Sequence, residues 1–231
     1  MGIVPRDTHQ PIPTLVKNQD LVQRRRRQIV DAAVELFIQD GFHKTTTRQI
    51  ARAAGISIGS LYEYIANKED VLYLVCDAIH AEMERAMADA LQRVDRQDNP
   101  LTEVVREYLL VCHRMSDHIL LIYQETQSLP GKWRRMVLEN DVRITGLFTR
   151  ALAELMASGD IPLLSETAMD LIAHNIAVMG HMWTFRRWFL GRHYTIEDYI
   201  RHQTAFILSM CHTEEPAPAA VPAAIQHNRY R

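Results

Sequence analysis

Three residues in the first quarter of the chain have the spacing of a catalytic motif. Gly55, Ser57 and Gly59 spell G-x-S-x-G within TTTRQIARAAGISIGSLYEYI, which begins at Thr45. In hydrolases this motif forms a nucleophile elbow, a strained turn from a β-strand into a helix that exposes the serine oxygen. The same residues also suit a turn between two short helices that hold DNA. The residues around the glycines distinguish a hydrolase motif from a DNA-binding turn.

The residues before Gly55 favour the helical interpretation. They read RQIARAA, which is rich in alanine, has Ile50 as its single β-branched residue and favours a helix. Thr46 or Thr47 can cap this helix, and Gly55 can end it in the left-handed conformation. Ser57 can then cap a second helix. We therefore predict a helix-turn-helix, whose second helix enters the DNA major groove.

Histidine and cysteine raise a second possibility, a metal site. Among the eleven histidines, His174 and His181 are one heptad apart, but no two have the i, i+4 spacing with a nearby carboxylate that helical zinc sites use. Cys76, Cys112 and Cys211 are scattered, so neither a zinc knuckle nor a disulfide framework is indicated. We predict reduced, buried thiols, as in a cytoplasmic protein, and no metal site.

The composition is that of an ordinary globular protein. The chain has 231 residues, of which 47% are hydrophobic and 23% charged, and its formal net charge is −2. Any basic surface for nucleic acid must therefore be local. Residues 21–68 contain eight Lys or Arg against four Asp or Glu, a net charge near +4. The positive charge thus coincides with the predicted helix-turn-helix.

The two ends differ from the middle of the chain. Residues 1–20 begin MGIVPRDTHQPIPTLV, with prolines where a signal peptide would be apolar, and residues 213–231 are rich in Pro and Ala. We expect both ends to be disordered. No uninterrupted apolar stretch reaches the roughly 18 residues of a membrane helix, so we predict no membrane segment and a cytoplasmic location.

Between the ends, apolar residues recur at intervals of three and four, and no period-two alternation occurs. This pattern predicts an all-α protein of about nine helices. We expect a helix-turn-helix domain at 21–67 and a larger helical domain at 68–212. The clearest helices are predicted at Lys68 to Val94, from Pro130 onwards, at Ser165 to Leu190 and at Thr195 to Cys211.

The sequence GFHKTTTRQIARAAGISIGSLYEYIANKEDVL, which begins at Gly41, resembles the DNA-binding domain of TetR/AcrR-type transcriptional regulators. The resemblance covers about 50 residues and includes Leu61-Tyr62, Tyr64 and Lys68-Glu69. Ile65 departs from it, because the family usually has an aromatic residue there. The resemblance implies a homodimer that binds a double-stranded DNA operator and holds a small-molecule effector in its second domain.

Carried over by position, the resemblance implies specific DNA contacts. Arg48 would reach a base edge, where its planar guanidinium can donate two hydrogen bonds to guanine O6 and N7. The residues implied to face bases are Ile58, Gly59 and Tyr62, and those implied to contact phosphates are Thr47, Ser60, Tyr64 and Lys68. Tyr62 can instead pack beneath its helix, Lys68 can instead cap a turn, and the run Arg24 to Arg27 suits either phosphate or solvent.

Two flanks of the helix predicted at Ser165 to Leu190 suggest where the protein dimerises and where it binds its effector. One flank is a stripe of small residues that another helix can approach closely, and we expect it to form half of a four-helix dimer interface. It consists of Ala173, Ala177, Gly180 and Thr184. Packing within the same subunit is the alternative. The other flank contains Asn175, Val178 and Met182, which we expect to line an effector cavity together with Tyr108 and Tyr123.

We thus expect a ligand-responsive regulator, a repressor that binds a palindromic operator as a dimer and leaves it when a largely hydrophobic effector binds. The alternatives are a helical ligand-binding or enzymatic protein with a vestigial DNA-binding domain, and a protein-binding adaptor. The chain contains no P-loop, no G-x-G-x-x-G and no His-Glu-x-x-His. We therefore predict no enzyme activity and no cofactor.

Overall fold

The computed structural model describes residues 12–93 and 100–212, and every regular element in these ranges is a helix. The all-α prediction is confirmed. Within these ranges, the structure contains no helix that could span a lipid bilayer. The ten α-helices are α1 Gln19–Asp40, α2 Thr47–Ala53, α3 Ile58–Tyr62, α4 Lys68–Arg93, α5 Pro100–Arg114, α6 Ser116–Glu125, α7 Gly131–Ser158, α8 Glu166–Phe185, α9 Arg187–His193 and α10 Ile196–Cys211, with a 3-10 helix at Thr126–Ser128.

One more helix is present in the described ranges than expected, because the helix predicted at Ser165 to Leu190 is broken. Arg186 leaves helical geometry, so that it ends α8 and begins α9. The next residue, Arg187, pairs with Asp117 of α6 at 2.6 Å. Neither proline nor glycine marks this break, and periodicity alone does not reveal a tertiary contact of this kind.

The predicted helix-turn-helix is present and its ends are capped as expected. Thr46 Oγ1 accepts a hydrogen bond from the backbone N–H of Gln49, and the Gln49 side chain accepts one from the Thr46 N–H, which completes a capping box. Gly55 has φ +67° at the turn, a conformation that favours glycine. Ser57 Oγ then accepts from the N–H of Ser60 at 3.0 Å and begins α3.

The expectation of a disordered N-terminal arm is wrong for residues 12–20. Ile12 is buried, and its carbonyl accepts a hydrogen bond from Arg26 Nη2 at 2.7 Å. The N–H of Leu15 donates to the carbonyl of Glu63 at 3.1 Å. The segment therefore lies against the helix-turn-helix before α1 begins. The predicted disorder of residues 1–11 and 213–231 falls outside the described residues.

Helix α4 connects the helix-turn-helix to the larger set of helices and contacts α1, α5 and α7. Trp133 Nε1 donates to Asp70 Oδ1 at 3.1 Å, and Asn140 Nδ2 donates to Asp77 Oδ1 at 3.1 Å. Because both pairs advance by seven residues, α4 and α7 run in the same direction. Trp133 also stacks on Tyr73, with the ring centroids 4.4 Å apart.

A single cluster of buried apolar side chains extends from α1 to α10. The three cysteines belong to it and are free thiols. Burial raises the pKa of Cys76 and of Cys112 to about 12, so both thiols stay protonated. The prediction that the cysteines are buried is confirmed.

Candidate functional site

The outer surface of α2 and α3 carries most of the predicted DNA contacts. Arg48 and Gly59 are exposed, and Thr47 and Ser60 are partly exposed. Ile58 and Tyr62 are also exposed, at 38% and 47%, although both are large apolar side chains. We call the exposed and partly exposed residues of these two helices the α2–α3 surface, which consists of Thr47, Arg48, Ile58, Gly59, Ser60 and Tyr62.

Tyr62 lies on this surface and not beneath its helix. Its hydroxyl is 3.1 Å from Thr47 Oγ1, so the two predicted DNA contacts are joined across the turn. Gly59 lies between Ile58 and Ser60 and is exposed. A Cβ built on Gly59 would meet only Ser57 Oγ, at 3.8 Å. The fold itself therefore does not require glycine at this position.

Two of the predicted phosphate contacts, Tyr64 and Lys68, are engaged within the protein. Tyr64 is 3% exposed, because α3 ends at Tyr62 and the chain turns the next aromatic ring into the core. Lys68 Nζ donates to the carbonyls of Phe42, His43 and Thr45, at 2.8, 3.3 and 3.0 Å. Its ammonium thus holds the loop between α1 and α2.

The arginine run is also not a uniform basic surface. Arg26 is 3% exposed and donates to the carbonyls of Ile12 and Tyr64. Arg24 and Arg27 are exposed, and Arg25 donates to Gln28 at 2.9 Å. One of the four arginines is therefore a structural residue that holds the N-terminal segment in place.

The small residues of α8 face their own subunit, which contradicts the predicted dimer stripe. Ala173, Ala177 and Thr184 are buried. A Cβ on Gly180 would lie 2.4 Å from Tyr108 Cε1 and far inside van der Waals contact. The stripe is small because α5 crosses α8 there, so the alternative of packing within the subunit is correct.

The opposite flank of α8 faces solvent, which contradicts its assignment to the effector cavity. Asn175 is exposed, and Val178 and Met182 are 59% and 37% exposed. On the same flank Leu171 is 60% exposed, and Phe206 of α10 is 60% exposed. Both assignments are therefore wrong. The flank of small residues packs within the subunit, and the flank of large apolar residues is exposed. We call this exposed flank, with Phe206, the α8–α10 surface.

A cavity of about 180 Å³ lies between α4, α6 and α7. It is lined by His80, Ile122, Tyr123, Thr126, Gln127, Val137, Leu138 and Asp141. Tyr123 and Leu138 are about half exposed, so they stand where the cavity opens. Of the five residues predicted to bind an effector, Tyr123 lines this cavity, whereas Tyr108 is fully buried beside it.

His181 connects the two tyrosines, and sequence reasoning singled it out only as a weak metal candidate. Tyr123 Oη lies 2.7 Å from His181 Nδ1, and Tyr108 Oη lies 3.1 Å from Nε2. Tyr108 donates its proton to the carbonyl of Ala177. His181 must then carry its proton on Nε2 and donate it to Tyr108, which leaves Nδ1 to accept from Tyr123. Burial lowers the pKa of His181 to about 4, so the ring is neutral at pH 7.

Neither a hydrolase site nor a metal site is formed by the described residues. Ser57 follows α2 and a turn, not a strand, and its Oγ caps α3. No group of three or more His, Cys, Asp or Glu in the described ranges is arranged to hold a metal ion. The nucleophile-elbow interpretation of the opening motif is therefore wrong.

Comparisons with known proteins agree with this geometry. Residues 29–73 match the family model of bacterial regulatory proteins of the tetR family. The chain is 28% identical to the HTH-type transcriptional regulator HbdR of Aromatoleum sp. strain CIB over 193 residues. This matched region covers 82% of this chain and 81% of HbdR.

Solved structures of regulators share the fold. A bacterial regulatory protein in the tetR family from Rhodococcus RHA1 superposes with a TM-score of 0.68 at 22% identity, over 83% of this chain and 99% of the other. AibR, solved in complex with isovaleryl coenzyme A and operator DNA, gives a TM-score of 0.64 at 21% identity, over 79% of this chain and 97% of the other.

Proposed function

The chain belongs to the TetR family of bacterial regulators, and from this premise we propose how its surfaces divide the work of a ligand-responsive transcriptional repressor. In this proposal the α2–α3 surface binds operator DNA, the α8–α10 surface joins two copies, and the cavity between α4, α6 and α7 receives a small, largely hydrophobic effector. The protein acts in the cytoplasm, where bacterial operator DNA lies, and it is not an enzyme.

The observation that carries the DNA-binding role is the exposure of Ile58 and Tyr62 on a short helix that is capped at its N-terminus. A folded protein gains nothing from leaving such side chains in water, whereas both can contact base edges in a major groove. Gly59 between them allows close approach of the helix to the duplex. Arg48 adds a guanidinium that can bind guanine, and Thr47 and Ser60 can donate to phosphates.

Dimerisation through the α8–α10 surface follows from its exposed apolar side chains. Leu171, Val178 and Phe206 are each about 60% exposed, and several large apolar side chains left exposed on two packed helices are typical of an interface between subunits. A two-fold interface uses the same surface on both copies, so two neighbouring helices from each subunit can form a four-helix contact. Two α3 helices spaced by about 34 to 36 Å, or a multiple, would then enter successive major grooves of a palindromic operator.

Effector release requires that the cavity and the DNA-binding helices share a structural element, and α4 is that element. His80 of α4 lines the cavity, while Lys68 at the start of α4 holds the loop before α2. An effector that prefers an arrangement in which α4 is shifted would displace α2 and α3. Its differential affinity for the two arrangements must reach about 5 kcal/mol for a complete switch.

Selection of bound duplexes from a random pool tests the DNA-binding role. We expect a palindromic sequence to emerge, with binding that weakens steeply as salt rises. Arg48→Ala should weaken binding and relax the preference at one base position, at a cost of about 1–3 kcal/mol. Arg52→Ala is the matched control, because Arg52 is an exposed arginine of the same helix. Equal losses in both variants, or no selected sequence, would contradict the proposal.

Mass photometry of the full chain tests the interface. Val178→Glu places a charge on the α8–α10 surface and should convert dimers to monomers. Val142→Glu is the control, because Val142 is 61% exposed on a different helix, α7. A dimer that survives Val178→Glu but not Val142→Glu would move the interface to α7.

A further inference from the structure

The cavity between α4, α6 and α7 has an apolar body of limited size. Ile122, Val137, Leu138 and the ring of Tyr123 form its apolar walls. Its volume of about 180 Å³ is close to the roughly 150 Å³ of an engineered apolar cavity that binds benzene. The enclosed part of a ligand is thus about one aromatic ring with a few further atoms.

Asp141 is the charged group in this cavity. None of the eight lining residues is Lys or Arg, and Asp141 makes no side-chain hydrogen bond or ion pair in the described part of the chain. Burial raises the pKa of Asp141, and the charge of His174 acts in the opposite direction. The carboxylate is therefore poorly solvated, and a ligand that restores its solvation gains affinity.

The other polar side chains of the wall also present acceptors. Tyr123 donates its hydroxyl proton to His181, as shown above. Thr126 Oγ1 donates to the carbonyl of Ile122. His80 Nδ1 lies 2.9 Å from the carbonyl of Cys76, which can only accept. Tyr123 and Thr126 thus each donate their hydroxyl proton to another group of the protein, and their oxygens keep lone pairs that can accept hydrogen bonds.

Gln127 is the lining residue whose amide keeps N–H donors, but it lies at the exposed edge of the cavity. Its Oε1 accepts a hydrogen bond from Arg134 at 3.4 Å. An anionic or acceptor-only ligand would therefore find donors at the entrance and an unneutralised carboxylate inside.

From this arrangement we propose that the effector is a small amine: an apolar body of about one ring whose protonated nitrogen donates hydrogen bonds to Asp141. The inference rests on the proposed function, because it takes this cavity as the effector site. Charge-assisted hydrogen bonds of this kind are the strong ones, so the amine supplies both affinity and orientation. Carboxylic acids and simple esters of the same size should be poor effectors.

A series of matched ring compounds tests the proposal on the full-length protein at pH 7. Benzylamine has a cationic donor, benzyl alcohol a neutral donor, methyl benzoate acceptors only and benzoate an anion. Calorimetry should give an affinity for benzylamine that is at least about tenfold higher than for methyl benzoate or benzoate. Release from the selected DNA should follow the same order. A higher affinity for benzoate or methyl benzoate overturns the proposal, and so does binding of none of the four.

Asp141→Asn tests the assigned residue, because asparagine keeps the shape and removes the charge. It should lower the affinity for benzylamine by about tenfold or more and change that for benzyl alcohol far less. Glu139→Gln is the matched control, because Glu139 is an exposed acid of the same helix outside the lining. Equal effects of the two variants, or an Asp141→Asn protein with unchanged preference, contradict the proposal.

DNA binding without any compound distinguishes this failure from failure of the proposed function. A protein that holds its selected duplex and ignores the ring series keeps its role as a regulator and loses the amine assignment. A protein that selects no duplex loses the regulator proposal, whatever it binds in the cavity.

Discussion

Replacing Gly59 with alanine separates the requirements of the fold from those of DNA binding. A Cβ at this position meets only Ser57 Oγ, at 3.8 Å, which is an ordinary van der Waals contact. Gly59 also lacks the positive φ that would strain alanine. Removing a glycine from a helix lowers the entropy of the unfolded chain and should stabilise the protein by about 0.4–1 kcal/mol. For a chain of this size the melting temperature should rise by about 1–4 °C.

The same methyl group lies on the face that we expect against the bases, between Ile58 and Tyr62. Inserting a methyl into a close-packed contact costs about 1–3 kcal/mol, which corresponds to DNA binding that is about 5- to 150-fold weaker. Fluorescence anisotropy with the selected duplex measures this loss, and thermal unfolding measures the gain in stability. The two quantities should therefore change in opposite directions.

Gly146→Ala is the control, because Gly146 lies within α7 and a Cβ there meets nothing within 4 Å. It should gain similar stability and keep its DNA affinity. Our reasoning is refuted if Gly59→Ala is stabilised and binds DNA as tightly as the unmodified chain. It is equally refuted if Gly59→Ala unfolds more easily, because glycine would then serve the fold.

Three further changes probe the contacts within the subunit. Gly180→Ala forces a methyl against Tyr108 and should lower the free energy of unfolding by about 1–3 kcal/mol in urea titrations; weakened dimerisation with an unchanged monomer would argue for the original stripe assignment. Lys68→Met removes the donor of three loop carbonyls and should destabilise the helix-turn-helix by about 1–3 kcal/mol, seen as faster hydrogen exchange of that loop. Because burial lowers the pKa of His181 to about 4, the unfolded chain binds more protons between about pH 6.5 and 4, and stability must fall as pH falls through that range. Comparing unfolding at pH 7 and 4.5, His181→Gln should remove about 2 kcal/mol of this loss; an identical pH dependence in both proteins would refute the buried neutral histidine.

The helix-turn-helix could be predicted from the sequence because its determinants are local. The caps of α2 and α3 involve residues three positions apart, and Gly55 supplies the turn. Such signals are complete within a short stretch. By contrast, Lys68 and Arg26 donate to carbonyls that are 14 to 38 residues away in the sequence. The periodicity of apolar residues does not predict such contacts.

The sequence analysis assigned the two flanks of α8 wrongly for a related reason. Periodicity divides a helix into faces, but both faces of α8 are apolar, so the pattern does not tell which one is buried in the subunit. Small residues such as Gly180 indicate that something approaches closely, and here it is Tyr108 of the same chain. The cavity likewise depends on how three helices meet, so Tyr123 was found by its residue type and Asp141 was missed.

The stacked pair of Trp133 and Tyr73 gives the protein a built-in optical probe. The indole is buried at the contact between α4 and α7, and its N–H is bonded to Asp70 near the first turn of α4. The chain has three tryptophans, and phenylalanine at Trp183 and Trp188 would leave this single emitter. Its fluorescence would then follow, in real time and without a label, any separation of those two helices when a compound enters.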